Sequence, residues 1–122
     1  LLEVDKHLVI PINKKIRFLF TSQDVIHSWW VPELAVKKDA IPGFINESWA
    51  KVETPGIYRG QCAELCGQGH GYMPIVVEAV SEEDYQTWVV TQEQAQKKAN
   101  QVSELSFDEL MAQGKTSYDK NC

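Results

Sequence analysis

Between residues 62 and 73 the chain reads Cys62-Ala63-Glu64-Leu65-Cys66-Gly67-Gln68-Gly69-His70-Gly71-Tyr72-Met73, so two thiols, an imidazole and a thioether fall within twelve residues. All are soft metal donors. Thiolate and thioether favour copper, imidazole suits it too, and the three glycines let such a loop bend until its side chains converge. A mononuclear blue-copper site takes one Cys, two His and a weakly held Met, which leaves the second Cys without a role. Two thiolates can instead bridge two copper ions, each capped by one imidazole, with Met73 and a backbone carbonyl completing the two shells. His70 supplies one imidazole. His27 is the candidate for the other, in the run Asp24-Val25-Ile26-His27-Ser28-Trp29-Trp30-Val31-Pro32, where aromatic bulk would keep water away. His7 has no such surroundings and reads as an ordinary histidine.

The same loop admits a disulfide between Cys62 and Cys66, a structural zinc site, or a catalytic thiol. Each leaves residues unexplained: a disulfide has no use for His70 or Met73, structural zinc rarely takes Met, and a nucleophile needs no second Cys. The third cysteine, Cys122, is the last residue, so three cysteines form no closed disulfide framework.

The elements that must position these residues are short strands over His7–Ile12, Ile16–Thr21, Ser48–Val52, Ile57–Gln61 and Pro74–Val80, with turns at Asn13-Lys14-Lys15 and Thr54-Pro55-Gly56. Ile16, Phe18 and Phe20 alternate, as do Ile75, Val77 and Ala79. Such strands predict an all-β sandwich or barrel. At Ser81-Glu82-Glu83-Asp84 the period changes to that of a capped helix carrying Tyr85, Trp88 and Val89. From Thr91 the composition turns polar and predicts a helix end or linker; a second capped start stands at Ser106-Phe107-Asp108-Glu109, with Gly114 placed to stop the helix. The expected organisation is a β domain over 1–90, a helix end and linker over 91–105, and a separate tail over 106–122.

The 122 residues carry 12 basic and 17 acidic side chains, a net charge of −5. That balance disfavours nucleic acid, whose phosphates call for clustered Lys and Arg, and suits a basic protein partner. No apolar run approaches the roughly 20 residues of a membrane span. The chain opens at Leu1 with neither an initiator Met nor a signal segment, which predicts further sequence upstream.

Five runs in order resemble the copper-A domain of cytochrome c oxidase subunit II: Leu1 to Asp5, Thr21 to Pro32, Lys38 to Gly43, Pro55 to Gln61 and Cys62 to Pro74. The resemblance implies a cupredoxin-like Greek-key barrel holding two copper ions that share one unpaired electron. It implies His27 and His70 as terminal imidazoles, Cys62 and Cys66 as bridges, Met73 as thioether ligand and Glu64 as a ligand through its main-chain carbonyl. The Glu64 carboxylate would face oxidase subunit I and help bind magnesium. The domain would take electrons from cytochrome c and pass them to the haem of subunit I, where oxygen is reduced to water, with His70 as the exit. As part of that proton-translocating oxidoreductase it would lie on the periplasmic or outer face of the cell membrane, anchored by transmembrane helices upstream of Leu1; the isolated domain would only transfer electrons. The family often has Arg where this chain has Phe44. Other resemblances compete: the copper-A domain of nitrous oxide reductase shares the ligand set, a quinol oxidase subunit shares the fold without the ligands, and a metal-free barrel could serve as a docking module. The run Gly114 to Cys122 resembles the opening helix of a c-type cytochrome, which implies a fused cytochrome c domain beginning here and Cys122 as one haem c attachment point.

Overall fold

The structure, a computed structural model, describes residues 3–103 and 106–121, so Cys122 lies outside the described residues. Among the described residues seven strands and two α-helices follow one another: β1 (Leu8–Pro11), β2 (Lys15–Phe20), β3 (His27–Val31), β4 (Val36–Ala40), β5 (Asn46–Lys51), β6 (Gly56–Cys62), β7 (Pro74–Val80), α1 (Glu82–Ser103) and α2 (Phe107–Asn121). A five-stranded sheet runs β1-β7-β6-β3-β4, with β1 parallel to β7 and the other neighbours antiparallel; β2 and β5 form an antiparallel pair. The expected β architecture with a helical tail is present.

Period-two patterning accounts for the layering. In β2, Phe18 and Phe20 are buried while Lys15, Arg17 and Leu19 face out, and β7 turns Val77 and Ala79 inward. These side chains meet Ile10, Val31, Val36, Ala50 and Val52 in one core between the two sheets. Val31 and Val77 are fully buried, each worth about 1.5–3 kcal/mol relative to exposure. Trp29 closes the core with ring centroids 5.5 Å from Phe18 and 5.4 Å from Phe20. Pro11 ends β1 at the edge of the sheet, where its missing N–H costs no ladder bond.

Five strands fall where the alternation predicts them. β3 and β4 do not announce themselves. In β3 both faces are largely covered, so no alternation appears, and β4 is an edge strand of sequence Val-Lys-Lys-Asp-Ala whose pairing with β3 overrides weak propensity. The helices begin as expected: Ser81 Oγ accepts from Asp84 N at 3.1 Å, and Ser106 and Glu109 form a reciprocal capping box.

Their ends differ from expectation. α1 runs on to Ser103 through the polar stretch, because Gln, Glu, Ala and Lys are good helix formers whatever their polarity. Gly114 does not stop α2, which continues to Asn121. Its φ is not positive, so it is no C-terminal cap, and an interior glycine costs only about 1 kcal/mol. The chain divides into two compact units at Tyr85/Gln86. Among the described residues no helix is long and apolar enough to cross a membrane.

Gly60 in β6 sits so close to β3 that a Cβ there would lie 1.9 Å from the Trp30 carbonyl oxygen. Because the obstacle is backbone, it cannot rotate away. Gly60→Ala is expected to destabilise the β domain by about 3 kcal/mol or more, read as a lower urea midpoint; a variant as stable as the parent would contradict this close β3–β6 approach.

Candidate metal centre

Three elements converge at one end of the larger sheet: the start of β3 brings His27, the end of β6 brings Cys62, and the chain just before β7 brings Met73. Trp29 lies opposite Cys62 in the β3–β6 ladder. Beyond Cys62 the chain leaves the sheet, and Cys62 N donates to Met73 O at 3.1 Å, so the loop closes where it opened. Ala63 N donates to Ser28 O at 2.9 Å and ties the loop to β3. Gly67 and Gly69 take φ values of 106° and 87°, which side chains rarely adopt. Those two glycines supply the bend; Gly71 has no positive φ. The 3-10 turn His70–Tyr72 then presents His70 back toward the sulfurs.

The two sulfurs are 3.8 Å apart, Cys62 Sγ to Cys66 Sγ. Each has its own imidazole and its own third donor. Cys62 Sγ lies 3.9 Å from His27 Nδ1 and 3.4 Å from the Glu64 carbonyl oxygen. Cys66 Sγ lies 3.4 Å from His70 Nδ1 and 3.4 Å from Met73 Sδ. The ligand atoms of His27, Cys62 and Cys66 all fall within 4.8 Å of one another. Cys62 is buried, whereas Cys66 is partly exposed beside an open cleft of about 870 Å³ lined by Val25, Ile26, Ile41, Leu65 and others. The Glu64 side chain points outward and is exposed. His7 takes no part; its Nδ1 lies 3.2 Å from Glu78 in a surface pair.

Sequence reasoning missed Asp24 and Ser22. Asp24 Oδ1 is 2.8 Å from His27 Nε2, and Ser22 Oγ is 2.8 Å from the same carboxylate oxygen. The signal was the three-residue offset between Asp24 and His27.

Electrostatics at the sulfurs are uneven. Burial pushes the Cys62 thiol up, but main-chain hydrogen bonds at Ser28 and Glu64, and the imidazoles of His27 and His70, outweigh it and bring the thiol down to about 6. Cys66 is pushed up, first by burial and then by the Cys62 sulfur beside it. The pair therefore gives up its protons in two steps. His27 is raised, mainly by its hydrogen bond to Asp24, and Asp24 is held below the usual carboxylate range by the same bond. Since a lowered thiol ionises at lower pH than a raised one, Cys62 gives up its proton before Cys66 does.

Soft sulfur, two imidazole nitrogens and one carbonyl oxygen suit copper, and a thioether in the set argues against structural zinc. The donors divide into two similar groups around a central pair of sulfurs, so the residues present fit a two-copper centre. In the metal-free reduced chain, the ultraviolet absorbance of thiolate is expected to rise in two steps, the first with a midpoint near pH 6 and the second above the ordinary thiol range. Cys66→Ser should keep the first step and Cys62→Ser should lose it; one step at an ordinary thiol value would contradict the uneven pair.

Comparison with known proteins bears on the same residues. The family described as "Cytochrome C oxidase subunit II, periplasmic domain" matches residues 1–80. The chain is 55% identical over 91 residues to a probable cytochrome c oxidase subunit 2 of Rickettsia bellii, covering 75% of this chain and 34% of that protein. The chain thus spans about a third of the length of the curated relatives it matches. Among solved structures it is similar to the periplasmic domain of subunit II of cytochrome oxidase from Bradyrhizobium japonicum, with 45% identity, a TM-score of 0.75, and coverage of 77% of this chain and 68% of that one. It is also similar to a mixed-disulfide intermediate between a thioredoxin-like protein and subunit II of cytochrome c oxidase, at 44% identity and a TM-score of 0.70, covering 78% of this chain and 67% of that one. The fold is accordingly cupredoxin-like. With a family match over most of the β domain and the sulfur-rich loop lying inside it, the chain belongs to the cytochrome c oxidase subunit II family, in the part that forms its periplasmic domain.

Proposed function

We propose that this domain carries electrons through a copper-A centre of two copper ions. His27 and His70 are the terminal imidazoles, Cys62 and Cys66 the bridging thiolates, Met73 the thioether ligand and Glu64 a ligand through its carbonyl oxygen. The single observation carrying this reading is the division of donors about two sulfurs 3.8 Å apart, each with one imidazole and one further donor. When bound, the copper pair supplies a one-electron carrier. The protein's own contribution is rigidity: Cys62 and His27 are fixed to the sheet, and Trp29, opposite Cys62, packs against Phe18 and Phe20. Ligands that hardly move between oxidation states keep the reorganisation cost small.

In the whole oxidase the domain takes electrons from cytochrome c and delivers them by way of His70 to the haem of subunit I, for the reduction of oxygen. It stands on the periplasmic face of the membrane. The exposed Glu64 carboxylate is available to a magnesium ion at the subunit I boundary. The resemblance of the run Gly114 to Cys122 to the opening helix of a c-type cytochrome supports reading residues 106–122 as the start of a cytochrome c domain, with Cys122 as a haem c attachment point. Before metal uptake, a thioredoxin-like protein keeps the two thiols reduced, as the mixed disulfide of the similar subunit II suggests, and the partly exposed Cys66 stands beside the open cleft.

Copper loading under mildly reducing conditions should give an intensely coloured chain holding two coppers by native mass spectrometry. Cys62→Ser and Cys66→Ser should each lose the mixed-valence absorption, while Met73→Leu should keep two coppers and shift the reduction potential. Retention of the full spectrum in either Cys variant would overturn the bridging assignment.

Residues 1–90 carry twelve acidic and eight basic side chains, so reduction by a free basic cytochrome c should slow several-fold between about 10 mM and about 150 mM ionic strength. Stopped-flow kinetics reads this, and a salt-independent rate would remove electrostatic steering from the account.

A further inference from the structure

Asp24 is exposed, on the loop before β3, yet its surroundings are built rather than incidental. Its Oδ1 lies 2.8 Å from His27 Nε2, while the other ring nitrogen, Nδ1, is turned to Cys62 Sγ. Ser22 holds the carboxylate from behind: its Oγ lies 2.8 Å from Asp24 Oδ1 and 2.5 Å from the Val25 carbonyl oxygen, and accepts from Asp24 N at 3.3 Å. The hydroxyl has one proton, so it serves one of the two oxygens at a time. The loop is itself pinned, by a bridge between Ser22 and Pro42 and by Thr21 Oγ1 donating to Ile41 O at 3.3 Å.

We infer that Asp24 is the positioning residue of His27. The Asp24 carboxylate can only accept, so this hydrogen bond requires a proton on Nε2, which in the neutral ring leaves Nδ1 bare and able to donate its lone pair toward the sulfur cluster. The opposite tautomer would direct an N–H at the position a metal would take. An exposed ion pair contributes little to stability, so the consequence of this contact lies in orientation and electron density rather than in folding. His70 provides an internal contrast. It too turns Nδ1 to a sulfur, Cys66 Sγ, but among the described residues its Nε2 has no partner. Among the described residues, His27 is thus the one of the two imidazoles held by a carboxylate at its second nitrogen. The effect on copper rests on the proposed function above; the tautomer does not.

Two readings on the 122-residue chain test the inference separately. The first uses the metal-free protein at a pH where imidazole is neutral. Long-range proton–nitrogen correlation should show His27 protonated at Nε2 alone and His70 as a mixture of tautomers. In Asp24→Ala, His27 should become a mixture too; in Asp24→Asn, whose amide oxygen still accepts, the tautomer should persist. The second uses the copper-loaded protein. Asp24→Ala should weaken copper binding by about tenfold or more and raise the reduction potential, since a negative charge facing a ligand favours the oxidised form. Asp24→Asn should raise the potential while the tautomer stays, and Ser22→Ala should act in the same direction more weakly. His27 protonated at Nδ1 in the parent, or an Asp24→Ala variant with unchanged tautomer and potential, would overturn the inference. Should the parent hold no copper pair, the proposed function fails and the tautomer reading alone decides this one.

Discussion

Two main-chain hydrogen bonds at the end of β6 organise everything around the sulfurs. Cys62 N to Met73 O closes the loop on itself, and Ala63 N to Ser28 O fastens that closure to β3. Ordering a loop of this length costs conformational entropy that soft side-chain contacts alone would struggle to offset. Here the strand ladders bear the cost. Because Gln61 faces Pro74 and Trp29 faces Cys62, the loop ends are already adjacent once β6 has paired with β7 and β3. The close approach at Gly60 sets how tightly β3 and β6 meet, and hence how near His27 comes to Cys62. Core packing beneath Trp29 then makes that geometry stiff.

The sulfurs themselves are held against their own preference. Two acids 3.8 Å apart do not ionise together readily, and the structure resolves this by favouring one. Main-chain hydrogen bonds and two imidazoles draw the proton off Cys62, while burial and then the neighbouring Cys62 sulfur keep the proton on Cys66. Cations between the sulfurs would remove that conflict, with each imidazole and third donor completing a shell. The uneven pair fits the proposed two-ion centre, in which each sulfur has an imidazole and a further donor beside it. His27 is anchored by Asp24 on the side away from the sulfur, and this keeps the less flexible half of the donor set in register with the sheet.

Much of this was legible in the sequence because it was carried by patterns the chain cannot avoid. Alternation in Ile16-Phe18-Phe20 and in Ile75-Val77-Ala79 follows from one buried face, and the density of soft donors from Cys62 to Met73 marks the loop as the place where the chain's chemistry gathers. What escaped was set by pairing and distance. β3 is covered on both faces and β4 is made a strand by its neighbour, so neither shows a period. α1 extends because helix propensity ignores polarity, and α2 passes through Gly114 because one glycine costs less than the turns on either side contribute. Asp24 escaped because its role depends on where the ring of His27 points, which only the folded loop decides. Gly71 looked equivalent to Gly67 and Gly69 until their backbone angles separated them.

The central claim is that two sulfurs, each with its own imidazole, hold two metal ions as one unit. Electron spin resonance of the oxidised, copper-loaded chain addresses it most directly. The account predicts one unpaired electron coupled to two equivalent copper nuclei; a spectrum of electron density confined to a single copper nucleus would contradict it.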